Sequence, residues 1–72
     1  RFAVLRQDDV TIRLTGDTPE WWALTLDLQQ EESRAEFFDR MKRLGVEREL
    51  RKAGVKDGDR VKIRELVDVW DM

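Results

Sequence analysis

Residues 31–54, EESRAEFFDRMKRLGVERELRKAG, decide the fold class. Phe37, Met41 and Leu44 recur at i, i+4 and i+7 with Phe38 beside them, the spacing of one apolar helical face. Glu31 and Glu32 open the segment while Arg40, Lys42 and Arg43 crowd its end, the charge order that complements a helix macrodipole. Gly45 supplies a C-terminal stop. Val46, Leu50 and Ala53 then form a second apolar stripe that ends at Gly54. The spacing predicts a helix over 31–43 and a shorter one from Val46, joined with almost no linker and so meeting at a sharp corner.

Outside this segment the period changes. Phe2-Ala3-Val4-Leu5 and Val10-Thr11-Ile12-Arg13-Leu14 are β-rich runs separated by Arg6-Gln7-Asp8-Asp9, which predicts a hairpin. In the second run Val10, Ile12 and Leu14 alternate with Thr11, Arg13 and Thr15, so one face packs and the other meets water. Gly16-Asp17 ends it. Thr18-Pro19-Glu20 is a helix-start signal, with Pro19 at the first helical position and Thr18 as the cap. It predicts a short helix over 19–26, although Leu24, Leu26 and Leu28 also alternate as a strand would. Trp21, Leu24 and Leu28 share one helical face. Trp22 lies about 100° away, which makes it the candidate exposed aromatic; the alternative is that it lies against the hairpin or the terminal strand.

After the tight turn Val55-Lys56-Asp57-Gly58-Asp59, Arg60-Val61-Lys62-Ile63-Arg64 alternates apolar and basic residues, placing Arg60, Lys62 and Arg64 on one strand face. Leu66 to Trp70 reads as a last strand, with Val67 and Val69 on one side and Leu66, Asp68 and Trp70 on the other. The order is ββ-ααα-ββ. It predicts an α+β fold with a small sheet of about four strands and helices packed on one face.

Composition narrows the function. A chain of 72 residues holds one core and buries only about 60% of the surface its unfolded form exposes. It has no cysteine and no histidine, so disulfides, thiolate zinc sites and imidazole metal sites are excluded. The absence of cysteine fits a reducing cytosol. Three tryptophans and three phenylalanines must supply much of the burial. No run approaches the roughly 20 apolar residues of a membrane span. A first residue of Arg1 and an immediate strand suggest a piece of a longer polypeptide.

Three segments, in order, resemble the C-terminal domain of the Obg family of ribosome-associated GTPases. They are TGDTPEW at 15–21, FFDRMKRLGVERELRKAG at 37–54 and GVKDGDRVKI at 54–63. The resemblance spans nearly the whole chain. It departs from the family at Leu24-Thr25-Leu26-Asp27-Leu28, where a Met-Thr-Asp-Phe-like stretch is usual. It departs again in the last strand, where the family tends to alternate acidic and aromatic residues. The resemblance implies a single C-terminal accessory domain over 1–72, in a cytoplasmic protein that assembles the large ribosomal subunit and takes part in stress responses. GTP or GDP and magnesium would bind in a separate G domain. The ribosome, its rRNA or that G domain would be the partner of this regulatory or interaction-making part.

Chemistry within the chain is scarce. No G-x-x-x-x-G-K-[ST] phosphate loop occurs; Gly54-Val55-Lys56-Asp57-Gly58 lacks the Lys-Ser/Thr pair and leads into a strand. Ser33 is the sole serine and has no histidine to serve as its base. The carboxylate pairs Asp8/Asp9, Glu31/Glu32 and Asp57/Asp59 fall at turns and a helix start. At 57–59 side chains that bond their own backbone explain them better than magnesium does. No catalytic, cofactor or metal residue is assigned, and no small-molecule substrate.

Charge is unevenly spread. Residues 34–64 carry 11 Lys or Arg against 6 Asp or Glu, whereas the rest carries 3 against 10. Arg40, Lys42, Arg43, Arg48, Arg51 and Lys52 gather around the Gly45 corner and, with Trp22, form the candidate partner or RNA surface. Two of these cations have carboxylates at helical spacing, Asp39 before Arg43 and Glu47 before Arg51. The aromatics fall mostly on core stripes, which argues against base stacking and leaves phosphate contact as the RNA reading. A free-standing RNA- or ribosome-binding module is the alternative to an Obg-type domain.

Overall fold

A computed structural model describes residues 1–70. Strands β1 (Ala3–Arg6) and β2 (Thr11–Thr15) form the first hairpin. Helices α1 (Asp17–Thr25), α2 (Glu31–Leu44) and α3 (Val46–Lys52) follow, then strands β3 (Arg60–Ile63) and β4 (Leu66–Val69). The sheet order is β1-β2-β3-β4. β1 and β2 pair antiparallel, β2 and β3 parallel, β3 and β4 antiparallel. Parallel neighbours require a long crossover, and the three helices are that crossover. The expected α+β order is therefore observed.

Alternation splits the sheet into two faces. Ile12, Leu14, Val61 and Ile63 point to the helices and are buried with Phe37, Met41, Val46, Leu50, Ala23 and Trp70. Each large aliphatic or aromatic side chain in this core contributes about 1.5–3 kcal/mol. Leu44 is 41% exposed, although it continues the Phe37–Met41 stripe. The helix stops directly after it, and Val46 on the far side of the corner takes the core position instead.

Gly45 makes that corner alone. It adopts φ 88°, and its amide donates to the Lys42 carbonyl at 3.1 Å while its own carbonyl accepts from the Glu49 amide at 3.2 Å. One left-handed residue thus closes α2 and opens α3, a conformation glycine reaches without a Cβ penalty. At the other end, Arg34 pairs with Asp68 and donates to the Val69 carbonyl at 3.2 Å. The Phe38 and Trp70 rings meet edge-on with centroids 4.7 Å apart. These contacts tie the start of α2 to β4, and they explain why Asp68 and Trp70 turn inward while Val67 and Val69 face out.

α1 begins two residues earlier than the Thr18-Pro19 signal predicts. Gly16 is the cap residue, and its amide donates to the Glu20 carboxylate at 2.8 Å. Thr18 makes no capping bond, because it is the second residue of the helix rather than its cap. Pro19 falls within the first turn, where a missing N–H still costs nothing. The alternative strand over 24–28 does not form: α1 runs to Thr25, and Asp27 turns the chain by accepting from the Gln29 amide at 3.0 Å.

Gly16 is also a point of close approach. With φ 137°, a methyl group there would overlap the Arg1 carbonyl oxygen and lie 2.6 Å from the Phe2 Cα. Gly16→Ala is expected to lower stability by about 1–3 kcal/mol in urea denaturation. Gly58→Ala, also at positive φ but facing open space, is expected to cost about 1 kcal/mol. Equal losses at the two sites would show that the close approach of Arg1 and Phe2 adds nothing.

Candidate interaction surface

The six cations predicted around the corner do lie on α2 and α3, but most are engaged. Arg40 donates to Glu36 at 2.6 Å, Arg43 pairs with Asp39 at 2.8 Å, Arg51 with Glu47 at 3.0 Å and Lys52 with Glu49 at 3.5 Å. Each is an exposed pair three or four residues apart, worth about 0.3–0.5 kcal/mol. Lys42 and Arg48 alone among the six have no ion-pair partner among the described residues. They flank a shallow depression of about 400 Å³ completed by Gly45, Glu47 and Arg51. The corner is therefore a largely self-neutralised surface with two free cations.

The tryptophans are reversed relative to the sequence reading. Trp22 is half-buried against the core, and the Arg40 guanidinium lies 4.3 Å from its ring centroid. Trp21 is 56% exposed and Leu24 66%. Buried Pro19 and Ala23 set the rotation of α1; Ala23 is too small to mark a core face in a pattern search. Leu24 and the 40% exposed Leu66 line a cleft of about 350 Å³ together with Ala23 and Ile63.

Arg64 also departs from expectation. It leaves β3 for the turn, at φ 55°, and pairs with Glu20 at 3.0 Å on the helix side. Arg60 and Lys62 remain on the strand.

The most connected polar group is Arg6 with Asp59, which sequence spacing does not reveal. Arg6 donates to the carbonyls of Asp8 at 2.8 Å, Asp9 at 3.1 Å and Gly54 at 3.0 Å, and to the Asp59 carboxylate at 3.1 Å. Asp59, the one buried charged residue among the described residues, also accepts from the Lys56 amide at 3.0 Å. Its side chain thus bonds its own turn, as the Asp-Gly-Asp pattern predicts. The Lys56 amide, followed by the Arg6 guanidinium, holds the Asp59 carboxyl below its ordinary value of 3.8. Asp8 and Glu20 are lowered too, chiefly by the amides of Val10 and Gly16. Among the described residues no group of three or more acidic side chains is placed to hold a metal ion. No helix there is long and apolar enough to cross a membrane.

The family model described as "Domain of unknown function (DUF1967)" matches residues 2–70. The chain belongs to the DUF1967 family. Its curated relatives include "GTPase Obg" of Tropheryma whipplei (strain Twist), 39% identical over 70 residues, covering 97% of this chain and 16% of the relative. "GTPase Obg" of Shouchella clausii (strain KSM-K16) is 42% identical over 62 residues, covering 86% and 14%. That of Geobacillus kaustophilus (strain HTA426) is 36% identical over 74 residues, covering 97% and 17%. The DUF1967 match corresponds to the C-terminal region of GTPase Obg, and this chain spans about a sixth of those proteins' length. No solved structure matches the chain.

Two outcomes follow from this geometry. A carboxyl held below its ordinary value stabilises the fold above that value, and the contribution is lost as pH falls through the folded pKa. Thermal midpoints between about pH 5 and pH 2 should therefore fall less steeply for Asp59→Asn than for the parent chain, from a lower starting midpoint. Identical acid limbs would contradict the assignment. For the tryptophans, Trp21→Ala should stay within about 0.5 kcal/mol of the parent, while Trp22→Ala should lose clearly more in the same denaturation assay.

Proposed function

We propose that this DUF1967 chain is the C-terminal accessory domain of an Obg-type GTPase that acts in large ribosomal subunit assembly and in stress responses. GTP hydrolysis, with magnesium, belongs to a separate G domain of that cytoplasmic protein. The domain contributes contacts rather than chemistry. The observation that carries this reading is the match over residues 2–70 to one region of proteins named GTPase Obg, of which the chain is about a sixth. The geometry agrees with it: the polar groups at turns and helix ends are spent on holding the fold, as Asp59, Asp8 and Glu20 are. What faces outward is surface: free cations and exposed apolar side chains.

The RNA-module alternative draws its support from Lys42 and Arg48, the corner cations free of intrahelical carboxylates. With two such groups, the logarithm of rRNA affinity should fall with the logarithm of salt at a slope of about −2. Six free cations would give a far steeper dependence.

The test is deletion of this domain from the full polypeptide. GTP hydrolysis by the remainder should persist while retention on large-subunit particles falls. Loss of hydrolysis with retention intact would contradict the proposal. A loss of retention reproduced in full by Lys42→Glu with Arg48→Glu would assign the contact to the corner.

A further inference from the structure

The helices cover one side of the sheet and leave the other open. On that open side the register aligns Leu5, Arg13, Lys62 and Val67 as one row across all four strands. A second row aligns Thr11, Arg60 and Val69. The centre of the face is thus basic, and both edges are apolar. Leu5 is 67% exposed, Val67 53% and Val69 43%.

Unlike Arg40, Arg43, Arg51 and Lys52 at the corner, these three have no counter-charge among the described residues. No carboxylate among the described residues pairs with Arg13, Arg60 or Lys62, and none of the three side chains donates a hydrogen bond. Arg13 and Lys62 stand directly opposite each other on neighbouring strands, where like charges destabilise a sheet. Carboxylates are plentiful in a chain with 16 Asp and Glu, yet among the described residues none stands in either row. A local rule broken without compensation inside the domain points to a counterpart outside it.

We infer that this open sheet face docks an acidic protein segment that carries apolar side chains. Its carboxylates meet Arg13, Arg60 and Lys62, and its apolar groups cover Leu5, Val67 and Val69. Charge complementarity supplies the sign of the partner. The apolar borders decide its class, because a phosphate backbone offers nothing to bury them against. Base stacking is also unsupported: Phe2, Trp22, Phe37, Phe38 and Trp70 pack in or against the core, and Trp21 lies on α1. The inference rests on the domain's acting by contact, and it adds where the contact lies and what chemistry it takes.

The test places a benzophenone amino acid at Val67 of this domain, within the full natural polypeptide, and irradiates intact cells. Protein adducts are expected on a second polypeptide, whose cross-linked peptide combines Asp or Glu with apolar residues. The Arg13→Glu, Arg60→Glu, Lys62→Glu variant should reduce the adduct roughly tenfold or more. Should that variant fail to fold by circular dichroism, the Gln series at the same positions is expected to reduce the adduct as well. Four results would overturn the inference. These are adducts destroyed by ribonuclease, a cross-linked peptide without acidic residues, no excess over a benzophenone at position 42, or a yield unaffected by the charge changes. Failure here with domain-dependent particle retention intact would remove this face and leave the proposed function standing.

Discussion

Arg6 and Asp59 are 53 residues apart in sequence and 3.1 Å apart in space, and the sheet depends on that contact. Through one guanidinium, the end of β1, the hairpin turn at Asp8 and Asp9, and the end of α3 at Gly54 are drawn to a single point. Asp59 then passes the constraint onward. Its carbonyl accepts from the Trp70 amide at 2.9 Å, and the next residue, Arg60, donates to the Val10 carbonyl at 2.7 Å. The parallel pairing of β3 with β2 therefore starts at the residue beside the buried carboxylate. A one-residue slip there would exchange the two faces of β3, sending Arg60 and Lys62 into the core and Val61 and Ile63 into water.

The distribution of charge follows from the same constraint. On the helix side, cations meet carboxylates one turn away, or on a neighbouring element as Arg64 meets Glu20 and Arg34 meets Asp68. Among the described residues, Lys42 and Arg48 are the helix cations left without such a partner. On the sheet side the register brings Arg13 level with Lys62 and supplies nothing to neutralise them. A domain of modest net charge thus presents two surfaces of different character. A partner that needs fixed positive groups finds them on the sheet, held by backbone pairing rather than on flexible helix ends.

Local signals in the sequence were informative, and long-range ones were not. The α2 stripe, the Gly45 corner and the strand alternations depend on residues within a turn of each other, and each appears near its expected place. The i,i+4 partners of Arg43 and Arg51 were legible for the same reason. The orientation of α1 was not, because buried Ala23 and the Arg40–Trp22 stack decide which tryptophan faces in. Leu44 misled because the stripe continues in sequence past the point where the helix stops. The Arg6–Asp59 contact and the Arg13–Lys62 row required the parallel register, which no single segment encodes. Alternation alone places Arg64 on the strand face, whereas the turn rotates it toward Glu20.

The central claim is that the Arg6–Asp59 contact holds the two halves of the sheet together. A double-mutant cycle with Arg6→Met and Asp59→Asn, read by denaturation, tests it most directly. The account predicts a coupling well above that of the exposed Arg51–Glu47 pair, whose expected value is about 0.3–0.5 kcal/mol. It also predicts faster hydrogen exchange at the Arg60 and Trp70 amides in either single variant. A coupling no larger than the surface pair's, with both amides still protected, would contradict it.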